Sequence, residues 1–172
     1  DIPKKKLRGS IGIVLQDTVI FNDTIMQNIR YGRLDATDEE VIAAAKTAKV
    51  ADFAEKMADG YDTMLTEGGG NLSQGQRQLI AIARAVLADP KILILDEATS
   101  SIDTRTEVHI QEAMLALMKG RTSLIIAHRL STIRDADKIV VIDGGKVVEA
   151  GNHEKLLSEN GAYARLYNTP FA

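Results

Sequence analysis

Hydrophobic residues occur along the chain in short runs separated by amphipathic stretches, a pattern typical of α/β folds. Three largely apolar stretches predict short buried strands: residues 11–15, 92–95 and 123–127. The run at residues 92–95 suits a strand that is buried on both faces, as in a parallel sheet covered by helices. A further strand is predicted at residues 138–143, whose centre is apolar, and Gly144 and Gly145 then predict a hairpin whose second strand is residues 146–150.

Helical periodicity and composition predict the remaining elements: residues 24–31, 38–57, 76–88, 104–118, 153–159 and 162–167. Residues 38–57 carry acids in the first turn and lysines later, as the helix dipole prefers, with a break expected near residues 49–51. Because residues 35–89 are nearly all helical and strands lie before and after them, we expect a helical insertion within an α/β core. The predicted parts of the chain are therefore residues 1–34, 35–89 and 90–172.

Composition narrows the classes of function. With 172 residues, 45% hydrophobic and only 4% aromatic, the chain can form one core built mainly from aliphatic side chains. The net charge of −3 argues against nucleic-acid binding, and we expect the basic cluster Lys4, Lys5, Lys6 and Arg8 to be solvated surface. The lack of cysteine excludes disulfides and thiolate metal sites. No apolar run approaches the roughly 20 residues of a membrane-spanning helix, so we expect a soluble polypeptide.

Two adjacent carboxylates, Asp96 and Glu97, follow the strand predicted at residues 92–95. Ligands of parallel sheets lie at the carboxyl ends of the strands, which is where these two acids stand. Asp96 is suited to hold a metal ion, and Glu97 to orient or deprotonate a water molecule. The alternative is a buried strand that ends in a solvated acidic turn.

A second informative stretch joins three glycines, at residues 68–70, to the start of the helix predicted at residues 76–88. Ser73 and Gln76 have the spacing of a capping box. A helix that begins this way presents N–H groups, a hydroxyl and a positive dipole end, which together suit a phosphate. An ordinary capped helix is the alternative.

Taken in order, these motifs resemble the nucleotide-binding domains of ATP-binding cassette (ABC) transporters. Residues 72–76, LSQGQ, resemble the LSGGQ signature of that family, and residues 91–97, KILILDE, resemble its Walker B strand. Residues 98–103, ATSSID, resemble the D-loop. Gln16 resembles the Q-loop glutamine, and His128 the switch histidine. The resemblance implies a partial P-loop NTPase core of the RecA type, with a parallel sheet flanked by helices, plus the α-helical subdomain of the family.

Two features depart from the family pattern. Gln74 occupies the third signature position, where the family has glycine, so we expect the rim of the loop to differ while phosphate contact survives. No stretch matches the phosphate-binding P-loop, because the single Gly-Lys pair, Gly145 and Lys146, is followed by Val147. Since the P-loop precedes the Q-loop in the family, we expect the chain to be the C-terminal part of a nucleotide-binding domain.

Within the family the chain is most similar to exporters. Residues 19–32, 67–71 and 160–166 resemble the corresponding segments of exporters with fused membrane domains. This resemblance implies transmembrane domains as partners, and a place at the cytoplasmic face of a membrane. It also implies a second nucleotide-binding domain, with which the first sandwiches two ATP molecules head to tail.

The resemblance also implies a role for each site residue. Asp96, helped by Gln16, would hold Mg²⁺, and Glu97 would be the general base that polarises the attacking water. His128 would contact the γ-phosphate. The signature residues would grip the ATP of the opposite subunit, and Asp103 would link the two sites across the dimer; the signature residues are Ser73, Gln74, Gly75 and Gln76.

Two other functions stay open at this point. The first is a structural or interaction module without catalysis. The second is an ABC ATPase that acts on DNA or ribosomes, and the acidic net charge disfavours this second function. Without a P-loop, we expect the chain by itself to be inactive and to have no appreciable ATP affinity. We also expect apolar sheet edges and faces to be exposed, which favours non-native or domain-swapped oligomers.

Overall fold

The computed structural model describes residues 3–15, 17–96, 102–127 and 130–169. The chain divides into two compact units, Asp1–Ile126 and Ala127–Ala172. None of the helices in the described ranges has the length and apolar character that a membrane crossing requires. The predicted three-part division of the chain stays a prediction.

The first unit contains a parallel sheet of three strands: β1 (Ile11–Val14), β2 (Ile92–Asp96) and β3 (Thr122–Ile126). The strand order is β1-β2-β3, and both pairings are parallel. Each strand coincides with a predicted apolar run, so the parallel sheet flanked by helices is confirmed. The register aligns Val14 with Leu95 and Leu95 with Ile125, so the three strands end side by side.

The helices of the first unit are α1 (Lys4–Gly9), α2 (Ile25–Arg30), α3 (Asp38–Thr47), α4 (Ala51–Ala54), α5 (Gln74–Ala88) and α6 (Thr104–Met118), with short 3₁₀ turns at Gly60–Asp62 and Glu67–Gly69. The predicted break between α3 and α4 is confirmed, because Lys49 between them has a positive φ of 59°. Helix α1 was not predicted. Its described charged residues are exposed, as expected of the basic cluster.

One face of the sheet is buried and the other is open. Leu93 and Leu95 of β2 are fully buried and join one core with the apolar faces of α5 and α6. The opposite face carries Ile13, Leu124 and Ile126, which are 56%, 62% and 53% exposed. The prediction that β2 is buried on both faces is therefore wrong for one face. The physical reason is that α5 and α6 cover the other side.

The second unit is an antiparallel hairpin with helices: α7 (Leu130–Arg134), β4 (Ile139–Asp143), β5 (Lys146–Gly151), α8 (His153–Ser158) and α9 (Ala162–Asn168). Gly144 and Gly145, with φ of 54° and 76°, form the predicted tight turn between the strands. The Glu149 carboxylate on β5 accepts hydrogen bonds from the backbone N–H groups of Ala162 and Tyr163, which caps α9. A turn was predicted at residues 134–136, whereas the structure has α7 ending at Arg134.

Candidate functional site

Asp96, the first of the two predicted carboxylates, lies at the carboxyl edge of the parallel sheet. Asp96 is the last residue of β2 and pairs in register with Ile126 of β3. Because side chains alternate along a strand, Asp96 lies on the open face of the sheet together with Ile94. Gln16, Glu97 and His128, the other residues predicted for this site, lie outside the described residues.

The donor set at this edge fits the type of site that Mg²⁺ uses in phosphate chemistry. Magnesium is usually bound there by one or two protein oxygens together with phosphate oxygens and water, so a dedicated protein cage is not needed. Asp96 supplies one carboxylate. Within the described ranges, no group of three or more His, Cys, Asp or Glu side chains is arranged to hold a metal ion.

The predicted capping box is present at the N-terminus of α5. The Ser73 hydroxyl accepts a hydrogen bond from the backbone N–H of Gln76 at 3.2 Å, and the Gln76 side-chain oxygen accepts one from the Ser73 N–H at 2.9 Å. The helix begins at Gln74, two residues earlier than predicted, because Ser73 is its N-cap. Ser73 is exposed, whereas Gly75 is buried. The Ser73 hydroxyl hydrogen and the Gln76 amide nitrogen remain as donors, in a position suited to an anion.

Asp103 is the N-cap of α6. Its carboxylate accepts a hydrogen bond from the backbone N–H of Thr106 at 3.0 Å. This bond, and a second from the Thr106 hydroxyl, hold the pKa of the Asp103 carboxyl below its ordinary value. Asp103 is therefore held in one orientation at an exposed position by its own helix.

The first turns of α5 and α6 touch at Gly75. A Cβ atom added to Gly75 would lie 2.2 Å from Cγ2 of Thr106 and 3.2 Å from Cγ2 of Ile102. Any side chain at this position would force these neighbours apart. Sequence reasoning assigned Gly75 to phosphate contact alone. The structure adds a steric reason for glycine and joins the signature turn, residues 72–76, to the Asp103 cap.

Arg77 of α5 holds the loop that precedes the signature turn. Its guanidinium donates hydrogen bonds to the backbone oxygens of Leu72 at 2.8 Å and Gly69 at 3.3 Å. Asn71 fixes the same loop, because its side-chain amide donates to the Met64 carbonyl at 3.0 Å. These contacts fix the conformation of the loop that directly precedes Ser73.

A polar cluster around the buried Asn28 side chain ties the middle of α5 to the segment that follows position 16. Arg84 donates hydrogen bonds to the Asn28 carbonyl at 2.6 Å, the Asn28 side-chain oxygen at 2.7 Å and the Val19 carbonyl at 2.6 Å. Asn28 is fully buried, and its side chain also bonds the backbone N–H and carbonyl of Phe21. Burial lowers the pKa of the Arg84 guanidinium. We name these residues, Val19, Phe21, Asn28 and Arg84, the arginine cluster.

Sequence reasoning missed Thr106, Arg77 and the arginine cluster. Arg84 and Asn28 are 56 residues apart, and no local pattern joins them. A signal did exist for Thr106, because Asp103 followed three residues later by a hydrogen-bonding residue has the spacing of a helix cap.

The chain is similar in sequence to known proteins of one family. The family described as ABC transporter matches residues 1–100 of the chain. The uncharacterized ABC transporter ATP-binding protein YfiC of Bacillus subtilis is 59% identical over 170 residues, which covers 99% of this chain and 28% of that protein. The ATP-dependent lipid A-core flippase 1 of Colwellia psychrerythraea is 54% identical over 167 residues, covering 97% of this chain and 28% of the flippase.

A solved structure supports the fold. The structure of a bacterial Atm1-family ABC exporter with ATP bound matches with a TM-score of 0.88 and 48% identity, covering 99% of this chain and 30% of that one. The predicted α/β fold is thus confirmed, and it is consistent with part of a P-loop NTPase core. The chain spans less than a third of the length of the relatives and the structure that it matches.

Proposed function

This chain belongs to the ABC transporter family, and from that premise we propose that it is the C-terminal part of the ATP-hydrolysing domain of an ABC exporter. The whole protein would couple ATP hydrolysis to transport across a membrane. The register of the parallel sheet is the observation that carries the proposal. It places the ends of β1, β2 and β3 side by side, with Asp96 at that edge.

The proposed roles follow from the residue types of the predicted site. Asp96, with Gln16, would hold Mg²⁺, which supplies charge neutralisation at the phosphates when bound. Glu97 would take up a proton from the attacking water, and His128 would donate a hydrogen bond to the γ-phosphate. Positioning and electrostatic complementarity dominate such a reaction, because the protein makes no covalent bond to the phosphoryl group.

The signature turn supports a second nucleotide-binding domain as a partner. Ser73 is exposed at the capped N-terminus of α5, and such a terminus favours an anion. We propose that this turn contacts ATP held by a second nucleotide-binding domain in a head-to-tail dimer. Asp103, held at the exposed cap of α6, would face the same dimer interface.

An exposed apolar patch supports attachment to membrane domains at the cytoplasmic face of a membrane. Val19, Phe21, Tyr31 and Leu34 are 66%, 39%, 48% and 75% exposed. The rings of Phe21 and Tyr31 lie 4.2 Å apart, which gives the patch a fixed shape. Exposed apolar groups of this kind are typical of interaction sites.

The same patch favours a second candidate function, an interaction module without catalysis. The lack of a P-loop motif in these 172 residues also favours it for the chain alone. The two functions predict different behaviour of the whole protein, because only the first requires turnover of Mg·ATP.

The test compares the whole protein with its Glu97→Gln variant. We expect the amide to leave Mg·ATP binding near its original level and to abolish turnover, because it cannot accept the proton. Glu39→Gln is the matched control, since Glu39 is an exposed glutamate on α3. Near-normal ATPase activity of Glu97→Gln would contradict the general-base role. A wild-type protein without any ATPase activity would favour the interaction module.

A further inference from the structure

We propose that Thr106 is a positioning residue that fixes the signature turn relative to Asp103. Its effect on ATP hydrolysis rests on the function proposed above, whereas its structural basis does not. Thr106 is the third residue of α6 and is half-buried between the first turns of α5 and α6. Two different atoms of its side chain face two different motifs.

The γ-methyl group of Thr106 faces the signature turn. It occupies the space in which a Cβ atom of residue 75 would stand, only 2.2 Å from that position. The buried α5 backbone at Gly75 therefore packs directly against this methyl group. Close-packed contacts of this kind transmit small displacements, because the neighbouring atoms have no free volume to absorb them.

The hydroxyl and the backbone N–H of Thr106 face Asp103. The backbone N–H donates to the Asp103 carboxylate at 3.0 Å, and the hydroxyl acts on the same carboxylate by lowering its pKa. A β-branched side chain has few allowed rotamers, so the methyl group and the hydroxyl cannot move independently. Rotation that relieved a clash with residue 75 would carry the hydroxyl away from Asp103. A change at the signature turn therefore reaches the Asp103 carboxylate through a single torsion angle.

Matched substitutions separate the two contacts. Thr106→Ser keeps the hydroxyl and removes the γ-methyl group, and Thr106→Val keeps a methyl group and removes the hydroxyl. Gly75→Ala introduces the clash with the methyl group. Gly9→Ala is the control, because a Cβ there meets nothing within 4 Å and the residue has no positive φ.

The first experiment titrates the Asp103 carboxyl carbon by ¹³C NMR in the 172-residue chain. We expect Gly75→Ala and Thr106→Val each to raise the pKa of Asp103 toward its ordinary value. Thr106→Ser and Gly9→Ala should leave that pKa low, and Thr106→Ser should restore the low pKa when combined with Gly75→Ala. A purely local packing role for Gly75 would not move this titration.

A second measurement in the same samples covers the case in which Gly75→Ala does not fold. The backbone ¹⁵N shifts of residues 74–76 should change in Thr106→Ser, which loses the methyl contact, and change less in Thr106→Val. Equal changes in the two variants would overturn the proposal. An Asp103 titration that is the same in Thr106→Val and wild type would overturn it as well.

The functional consequence is measured in the whole protein. We expect Gly75→Ala to lower kcat on the order of tenfold to a hundredfold with a smaller change in KM, because it displaces groups that act during the reaction. Adding Thr106→Ser should recover part of kcat. No recovery, with normal ATPase activity of the wild type, would overturn the positioning role. A wild type without ATPase activity would instead refute the proposed function and leave the NMR result standing.

Discussion

Replacement of Arg84 by methionine should destabilise the first unit by an amount that the structure allows us to work out. Methionine keeps much of the length and volume of the side chain but has no hydrogen-bond donor. Three charge-assisted hydrogen bonds are lost, two to Asn28 and one to Val19. The contact between the guanidinium and the Phe21 ring, 5.1 Å from its centroid, is lost as well.

The magnitude follows from which acceptors remain satisfied. Hydrogen bonds to charged groups contribute about 1.5–3 kcal/mol each, but hydration of the half-buried guanidinium on unfolding offsets a large share. The side-chain oxygen of Asn28 still accepts the Phe21 N–H at 2.9 Å, so it is not left unsatisfied. The Asn28 and Val19 carbonyls lose the Arg84 donor. We therefore expect a net loss of about 3 kcal/mol in the free energy of unfolding.

The assay is urea unfolding of the chain followed by circular dichroism, with amide exchange of the Phe21 N–H as a local probe. Arg84→Lys should recover little, because a single ammonium group cannot reproduce the planar fork that meets three acceptors. Arg33→Met is the matched control, since the Arg33–Glu40 ion pair is largely exposed and should matter far less. Wild-type stability of Arg84→Met, or full recovery by Arg84→Lys, would refute the reasoning.

Three further predictions concern ATP binding by the chain, its oligomeric state and the alkaline stability of the second unit. Equilibrium dialysis should find no appreciable binding of Mg·ATP by the 172 residues, and micromolar affinity would contradict the assignment of most phosphate contacts to a P-loop. Light scattering should find oligomers because Ile13 and Leu124 leave the sheet face apolar and exposed, whereas a clean monomer would count against this. Burial raises the pKa of Tyr163, so the stability that its neutral phenol contributes is complete below the ordinary tyrosine pKa of about 10 and is lost as the pH rises through the folded value. Tyr163→Phe should therefore flatten the alkaline loss of stability of the second unit, measured by urea unfolding at a series of alkaline pH values, and an unchanged pH dependence would exclude this residue as its cause.

Most of the elements could be predicted because their signals are local. Apolar runs predicted β1, β2 and β3, and the spacing of Ser73 and Gln76 predicted the cap of α5. Helix α1 was missed because five of its six residues, KKKLRG, are charged or glycine and give no apolar stripe. Helix α7 was missed because its five residues form little more than one turn, and such short helices depend on tertiary contacts.

The motifs of the candidate site could be predicted from the sequence, but the contacts between them could not. Side-chain alternation explains why Asp96 lies on the open face, but no sequence pattern tells which face α5 and α6 leave uncovered. The contact between Gly75 and Thr106 depends on how closely α5 and α6 approach, which is a property of the packed core. The arginine cluster likewise joins positions that are distant in sequence. These contacts depend on how segments that are distant in sequence pack together, and such packing produces no periodic pattern in the sequence.

The central claim is that the signature turn contacts ATP held by a second nucleotide-binding domain, and capture of the dimer tests it most directly. In the whole protein carrying Glu97→Gln, Mg·ATP should produce a stable dimer of nucleotide-binding domains, seen by light scattering or cross-linking. Adding Ser73→Glu should abolish this dimer, because a carboxylate at the N-terminus of α5 would repel the γ-phosphate. An ATP-dependent dimer that forms equally well with Ser73→Glu would contradict the account.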